Sequence, residues 1–398
     1  MSVERQKSLS LILVCGEPSG DQLGGQLMAA LKSVATVGLK ITGVGGRAMS
    51  AQGLQSLFPL DDTAVMGLRE VVPKIPIILR RVREVCDFAI ATRPDAVVLI
   101  DSPDFTHRIA RRLKRLAPSI RTIDYVAPQV WASRAYRARA MARNFDLLLA
   151  LFPFEPPFFQ KYGLKTVFVG HPVIERAALM KGGTELRTKL GVRGDAPLLV
   201  LLPGSRASEI RFILPTFRAA VAEIVKRVPR LVTVLPTVPH VAARVKAETD
   251  AWPTPLYIIE GDADKFAAFS TADVALAASG TVTTELALAR TPMVVAYRVG
   301  WITYALVRPL ILLPMFTLVN LLLGRRAVPE YLQGKATPQA LAETVVRLLL
   351  EPQTAAAQRI DLEQAAKLLG QGGEAPSLRA ARAIVEFANP GYRLDNGV

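Results

Sequence analysis

A chain of 398 residues is too long for one ordinary core, so two domains are expected. Hydrophobic residues make up 51% and charged residues 21%, which excludes a disordered chain and allows sizeable cores. Lysine and arginine total 49 against 34 acidic residues, a net charge of +15 that suits a phosphorylated substrate or an anionic membrane surface; no RNA-binding or helix-turn-helix signature supports nucleic acid as the partner.

Met1 to Ser10 is short and polar and lacks the apolar core and cleavage site of a secretory signal, so a cytoplasmic protein is expected. Leu9–Cys15 reads as a buried strand, Gly16–Gly25 as a loop and Gln26–Val34 as a helix. Lys40–Val44 is a second strand, with Gly43, Gly45 and Gly46 forming a loop beyond it. Thr63–Leu79 is apolar, with Val65, Met66, Leu68, Val71, Val72 and Ile75 bordered by Lys74, Arg80, Arg81 and Arg83. It falls short of the ~20 mostly apolar residues a spanning helix needs, and reads as an interfacial element contacting a membrane. Ala96–Ile100 is a strand, followed by Asp101–Phe105 and a basic helix, His107–Leu116; Thr122–Val126 and Leu147–Ala150 continue the series. Lys181–Asp195, rich in glycine and charge, reads as the linker. The pattern then restarts with a strand at Leu198–Leu202, a loop at Pro203–Ser208 and a helix at Ile210–Arg227. Leu231–Leu235, Tyr257–Glu260, Val274–Ala277 and Met293–Tyr297 supply later strands. Leu306–Leu323 is interrupted by Arg308, Pro309, Pro314 and Asn320 and reads as core.

Strands alternating with helices imply parallel sheets covered on both faces. The fold class is therefore α/β: two doubly wound Rossmann-like domains facing a central cleft, an N-terminal one over 1–180 and a C-terminal one over 181–365. A helical tail, 366–398, is expected to pack back on the N-terminal domain. Cys15 and Cys86 sit in apolar stretches and read as buried free thiols of a reducing compartment. Three histidines and no close Cys/His cluster argue against a metal, and no cofactor is expected.

Four loops carry chemistry, all at the carboxyl ends of strands, where such sheets bind ligands. In Gly16–Asp21 the glycines permit close backbone approach, and Glu17, Ser19 and Asp21 can hold sugar hydroxyls; Gly45 belongs to a second loop on the same side. The alternative is a plain strand–helix turn. In Asp101–Phe105 both Asp101 and Asp104 are candidate general bases, although Asp104 also suits a helix cap. In Pro203–Arg206, small Gly204 and Ser205 admit a diphosphate that Arg206 can neutralise, unless Glu209 pairs with Arg206 or Arg211. In Ser279–Glu285, Ser279, Gly280 and Thr281 precede a helix and form an anion site, while Glu285 can accept ribose hydroxyls or serve the helix dipole. His171 reads as a packed residue.

Taken in order, these segments resemble one family, the bacterial lipid-A-disaccharide synthases. The resemblance rests on Gly16-Glu17-Pro18-Ser19-Gly20-Asp21, Gly43-Val44-Gly45-Gly46, Met66–Val71, Ile100–Phe105, Tyr125–Ala132, Pro153-Phe154-Glu155, Gly170-His171-Pro172, Leu202–Arg206, Ser279-Gly280-Thr281 with Glu285, and Leu318-Val319-Asn320-Leu321. It implies a type-B glycosyltransferase fold and transfer of a diacylated glucosamine from UDP to the 6-hydroxyl of 2,3-diacylglucosamine 1-phosphate (lipid X), with inversion and release of UDP. It implies Asp101 as base, Arg206, Glu285, Asn320 and Arg325 on the donor side, and no metal. UDP-diacylglucosamine, lipid X and the inner-membrane surface are the expected partners, and a homodimer is compatible. Pro18 replaces an expected Ala and Ser133 an expected second Trp, both changes of loop packing. Two rivals remain. A nucleotide-sugar epimerase would need no apolar Thr63–Leu79 segment, and a non-catalytic anionic-lipid-binding protein would leave Arg206 and Glu285 idle.

Overall fold

A computed structural model of the chain describes residues 8–35, 38–63, 68–133, 135–300, 304 and 315–390. These fall into two compact units. One comprises the described residues up to Pro172 together with those from Gly372 onward; the other runs from Val173 to Gln371.

The first unit holds strands β1 (Leu9–Cys15), β2 (Leu39–Val44), β3 (Ala96–Ile100), β4 (Arg121–Tyr125), β5 (Leu147–Ala150) and β6 (Thr166–Phe168). Its helices are α1 (Pro18–Val34), α2 (Arg47–Ala51), α3 (Leu68–Thr92), α4 (Pro103–Leu116), α5 (Val130–Ser133), α6 (Tyr136–Asn144) and α7 (Glu155–Gln160). The strands are parallel, in the order β2-β1-β3-β4-β5-β6. Their near-continuous apolar runs are what a sheet covered on both faces requires. Ile12, Val14, Val97 and Leu99 pack with Val85 and Ala89 of α3 and with Ile109 and Leu113 of α4. The opposite face carries α1, packed on the C-terminal helix Pro376–Ala388. Strand order reverses between β1 and β3, and the chain leaves them toward opposite faces. Ligands bind outside such a switch point, so the loops after β1 and β3 flank the natural crevice of this sheet.

Helix α1 begins at Pro18, where the sequence suggested a loop up to Gly25. Glycines lower helix propensity, but here they sit at a crossing. A Cβ on Gly24 would lie 2.5 Å from Met49 Sδ, and one on Gly25 would lie 3.1 Å from the Ala48 backbone. The C-terminal helix is tied in by Arg121, whose guanidinium donates to the carbonyls of Phe387 (2.7 Å) and Ala388, and by Arg379, which donates to the Phe168 carbonyl at 2.6 Å.

The apolar stretch read as interfacial enters α3, a 25-residue helix with Pro73 and Pro76 inside it. Val65 and Met66 lie outside the described residues. Leu68, Val71 and Val72 belong to α3, but their side chains are not described. Ile75, Ile77 and Leu79 are 43%, 43% and 40% exposed, beside exposed Arg80 and Arg83. No helix among the described residues is long and apolar enough to cross a membrane. Residues 306–314 of the second apolar stretch lie outside the described part.

The second unit begins its sheet with β7 (Leu198–Leu202), after α8 (Gly183–Lys189), a helix that occupies the stretch read as a linker. There follow α9 (Ala207–Val225), β8 (Val232–Thr237), α10 (Pro239–Glu248), β9 (Leu256–Glu260), α11 (Asp262–Thr271), β10 (Val274–Ala278), α12 (Val282–Leu288), β11 (Met293–Tyr297), α13 (Leu318–Leu323), β12 (Glu330–Leu332), α14 (Pro338–Leu350) and α15 (Pro352–Leu368). This sheet too is parallel, in the order β12-β11-β10-β7-β8-β9. Leu199 and Leu201 face a core built with α9 and α14, and Leu198 and Val200 face one built with α11, α12 and α15. Here the order reverses between β7 and β10, again with helices departing to opposite faces. The two edge strands β6 and β12, three residues each, carry too short an apolar run to stand out in the sequence.

Cys15 and Cys86 are free and buried, and burial pushes both thiols up to about 12. They are inert at neutral pH.

Candidate functional site

In the first unit the loops beside the switch point converge on Asp101. Asp101 and Ser102 both adopt left-handed backbone, with φ of 54° and 48°. For L residues this costs about 1–2 kcal/mol each. Local hydrogen bonds hold the turn. The Asp101 N–H donates to the Tyr125 carbonyl at 2.9 Å, Thr106 Oγ1 donates to the Asp101 carbonyl at 2.7 Å, and the Phe105 and Thr106 N–H groups donate to the Ser102 carbonyl. The turn sets a half-buried carboxylate at the end of β3, where it accepts a hydrogen bond from Ser19 Oγ at 2.9 Å. Asp104 is placed differently. It is exposed in the first turn of α4, where a carboxylate favours the helix dipole.

The Gly16–Asp21 loop and the glycine loop after β2 are locked together. Asp21 is 6% exposed, and its carboxylate accepts from the N–H groups of Gly46 (2.7 Å), Ala48 (2.8 Å) and Met49 (3.1 Å). Asp21 thus shapes the loop, whereas Glu17 is half-buried and Ser19 exposed beside Asp101. The Gly45 N–H donates to Ser56 Oγ, and a Cβ there would strike Met49 and Leu54. A Cβ on Gly16 would lie 2.8 Å from that of Ser102, so the two switch-point loops touch only because residue 16 is glycine.

Sequence reasoning missed a layer of buried acids behind these loops. Asp124 on β4 is 1% exposed, with His107 Nε2 of α4 at 3.4 Å from Oδ2. Burial raises its proton affinity, and the imidazole partly offsets this. Glu155, at the start of α7, is also 1% exposed. Its Oε1 accepts from Trp131 Nε1 at 3.1 Å, and its Oε2 accepts from the N–H groups of Leu151 and Phe152, each at 3.0 Å. Burial, outweighing these bonds, pushes its carboxyl up to about 7. The signal lies in Tyr125–Ala132 and Pro153-Phe154-Glu155, which carry the family resemblance but no assigned role. His171 is 8% exposed, its ring tilted against Phe152 at 5.4 Å, as a packed residue.

In the second unit the loops after β7 and β10 flank the switch point. Gly204 has φ of 112°, and a Cβ on it would lie 2.3 Å from Glu209 Oε2. That oxygen accepts from the N–H groups of Ser205 (2.9 Å) and Arg206 (3.2 Å), so Glu209 sets the turn. Glu209 also pairs with Arg206 at 3.2 Å, but the guanidinium is 76% exposed and stays accessible. Ser279 Oγ donates to the Phe316 carbonyl at 3.2 Å, while Gly280 and Thr281 are exposed. Glu285 is 8% exposed and pairs with Arg176 at 3.0 Å and Lys265 at 3.2 Å. Asn320 is fully buried, with Oδ1 accepting from the N–H groups of Ala327 and Val328 and Nδ2 donating to the Val328 carbonyl at 2.8 Å. Arg325 makes a two-point pair with Asp361, at 3.0 and 2.6 Å. Among the described residues no group of three or more potential ligands could hold a metal ion.

Comparison with known proteins places these features in one context. Residues 11–385 match the family model described as lipid-A-disaccharide synthetase. The chain is 48% identical to the lipid-A-disaccharide synthase of Rhodospirillum centenum, covering 95% of this chain and 94% of that one. It is 44% identical to the corresponding enzyme of Paramagnetospirillum magneticum, covering 97% and 100%. Among solved structures, the UDP-GlcNAc 2-epimerase of Neisseria meningitidis superposes with a TM-score of 0.59 at 13% identity, covering 96% of this chain and 99% of that one. MurG of Acinetobacter baumannii superposes at 0.56 and 15% identity, covering 96% and 99%. At such identities the structural likeness carries the fold, that of type-B glycosyltransferases.

Proposed function

We propose a division of roles within the site, from the premise that this chain belongs to the lipid-A-disaccharide synthase family. Its activity is that of a lipid-A-disaccharide synthase, a glycosyltransferase of lipid A biosynthesis, and the epimerase and lipid-binding readings fall away. The first unit takes the acceptor, 2,3-diacylglucosamine 1-phosphate, and the second takes UDP-2,3-diacylglucosamine. Asp101 removes the proton from the acceptor 6-hydroxyl as that oxygen attacks the anomeric carbon on the face opposite UDP. The new C–O bond forms as the bond to the diphosphate breaks, giving the inverted β-1,6 disaccharide. Arg206 and the backbone of Gly204–Ser205 and Ser279–Thr281 meet the charge developing on the leaving diphosphate, the kind of fixed electrostatic support on which such catalysis chiefly rests. Glu285, Asn320 and Arg325 complete the donor side, Glu285 at the ribose and Asn320 by fixing the segment that follows it. Glu17, Ser19 and Gly45 line the acceptor side, and Asp21 holds their loops in shape.

The observation that carries this reading is the Asp101 turn: two consecutive left-handed residues present a carboxylate at a switch point, with Ser19 as its partner. The test is Asp101→Asn with both acylated substrates, following disaccharide and UDP by mass spectrometry. Loss of turnover with donor binding intact is expected; wild-type turnover would remove Asp101 from the reaction. The enzyme works at the membrane face through the segment that carries Val65, Met66, Leu68, Val71, Val72 and Ile75; exposed Ile75, Ile77 and Leu79 beside Arg80 and Arg83 support this.

A further inference from the structure

Four rings gather where β4 and β5 end in the first unit. Trp131 meets Phe154 edge-on at 4.9 Å, Phe152 stacks on Phe154 at 5.4 Å, and His171 closes the far side of Phe152 at 5.4 Å. Phe152 and His171 are buried, but Trp131 and Phe154 are only half-buried, so the group shows an aromatic face to solvent. The segment that leads to Trp131 in α5 leaves β4 at Tyr125, the residue whose carbonyl seats the Asp101 N–H. The aromatic face and the reacting carboxylate are therefore set by one segment of backbone.

Beneath the rings lies Glu155. All three of its partners, the Trp131 indole and two backbone amides, are donors. An ionised carboxylate only accepts, and satisfies all three; a protonated one accepts more weakly and brings an O–H for which none of the three is an acceptor. We propose that Trp131 and Phe154 form the wall that receives the acylated acceptor sugar, and that Glu155, acting through the Trp131 indole, is the positioning residue that holds this wall in place. The proposal rests on the reading that the first unit takes the acceptor. Aromatic faces suit the C–H faces of a sugar ring and the methylenes of its acyl chains. A single buried hydrogen bond from Glu155 keeps the Trp131 ring from turning away.

The charge on Glu155 makes the device pH-dependent. Burial is the main force against ionisation, so the carboxyl titrates at about 7. Asp124 of β4 faces it and adds to the effect, and His107 of α4 in turn faces Asp124 at 3.4 Å. On α5 the facing group is the indole, on the turn before α7 the two amides, and His171 lies beyond Phe152. Above about 7 the ionised carboxylate holds the indole firmly; as pH falls through that value, protonation weakens the hold.

Glu155→Gln isolates the contact. Its amide oxygen can still accept from Leu151 and Phe152, but its NH2 then meets the indole N–H, donor against donor. Trp131→Phe is the second variant, keeping an aromatic ring without the N–H. Steady-state kinetics with the UDP-diacylglucosamine donor and the diacylglucosamine 1-phosphate acceptor are read on both sides of neutrality. In Glu155→Gln the acceptor KM should rise about three- to tenfold at alkaline pH, more than kcat falls, as expected for one hydrogen bond. The wild type's acceptor KM should rise on acidification, and in both variants that rise should vanish. An acceptor KM and pH profile unchanged in both variants would overturn the wall and its latch. A change in donor KM instead would overturn the placing of the acceptor in the first unit.

Discussion

Asp101 is held in backbone geometry that L residues avoid, so its position must be secured by its neighbours. The hydrogen bonds from Thr106 to its carbonyl and from its own N–H to Tyr125 do this without using the carboxylate. Asp101→Ala is therefore expected to fold and to lose about 10²–10⁴ in kcat, the usual contribution of a general base. Ser19→Ala, which removes the one side-chain partner that the loop supplies, should lower kcat far less. Asn320 makes the opposite case. Its whole amide is spent on Ala327 and Val328, so Asn320→Ala should lower unfolding stability by about 2–4 kcal/mol, read from the urea midpoint. A variant of full stability that binds UDP poorly would make Asn320 a ligand contact instead.

Helix α3 exposes three large apolar side chains in its N-terminal half, and its neighbours in sequence are arginines. If the proposed membrane contact lies there, replacing Ile75, Ile77 and Leu79 by Ser should leave the circular dichroism unchanged and weaken co-flotation with anionic vesicles; undiminished flotation would remove α3 from that role. How much of each element was legible in the sequence follows from what it buries. β1, β3, β5, β7 and β11 stand in the structure at the limits read from the sequence, because each is an apolar run buried on both faces. The first two turns of α1 were hidden by glycines that exist for packing against α2, a partner that sequence spacing does not show. What was legible of the candidate site is its placement: Asp101 and Arg206 stand where the sequence puts them, in loops at the carboxyl ends of strands. It was not legible where a residue's part lies in its buried partners: Asp21 reads as a ligand for sugar hydroxyls and braces a loop, Glu209 reads as a partner of Arg206 and also sets the backbone turn, and Glu155, read only within a family motif, is buried under Trp131.

At the scale of the whole molecule two kinds of charge act. The excess of +15 favours an anionic bilayer at long range, so vesicle binding should weaken steeply as salt rises toward screening lengths below ~8 Å. The buried carboxyl of Glu155 acts on stability. Its folded-state value of about 7 lies above the ordinary 4.5, so the folded chain takes up a proton where the unfolded chain has released it. Its contribution is whole below about 4.5 and is lost as pH rises through about 7, a decline of roughly 3 kcal/mol. Glu155→Gln should flatten that decline in urea titrations made at a series of pH values. The ionised form that satisfies the indole is thus the one that burial disfavours.

The return of the C-terminal helix to the first unit bears on how the protein is made. Helix α1 packs against Pro376–Ala388, its partner at the far end of the sequence, and the second unit is in effect an insertion between the two parts of the first. A nascent chain emerges from the ribosome in order, and domains fold as units once their residues are out. The second unit, ending at Gln371, can therefore close during synthesis. The first, though most of it is translated earlier, has the face of α1 that packs on Pro376–Ala388 uncovered until that helix appears. During that interval this face of α1 meets solvent, so the first unit completes its packing after the second although its chain begins earlier.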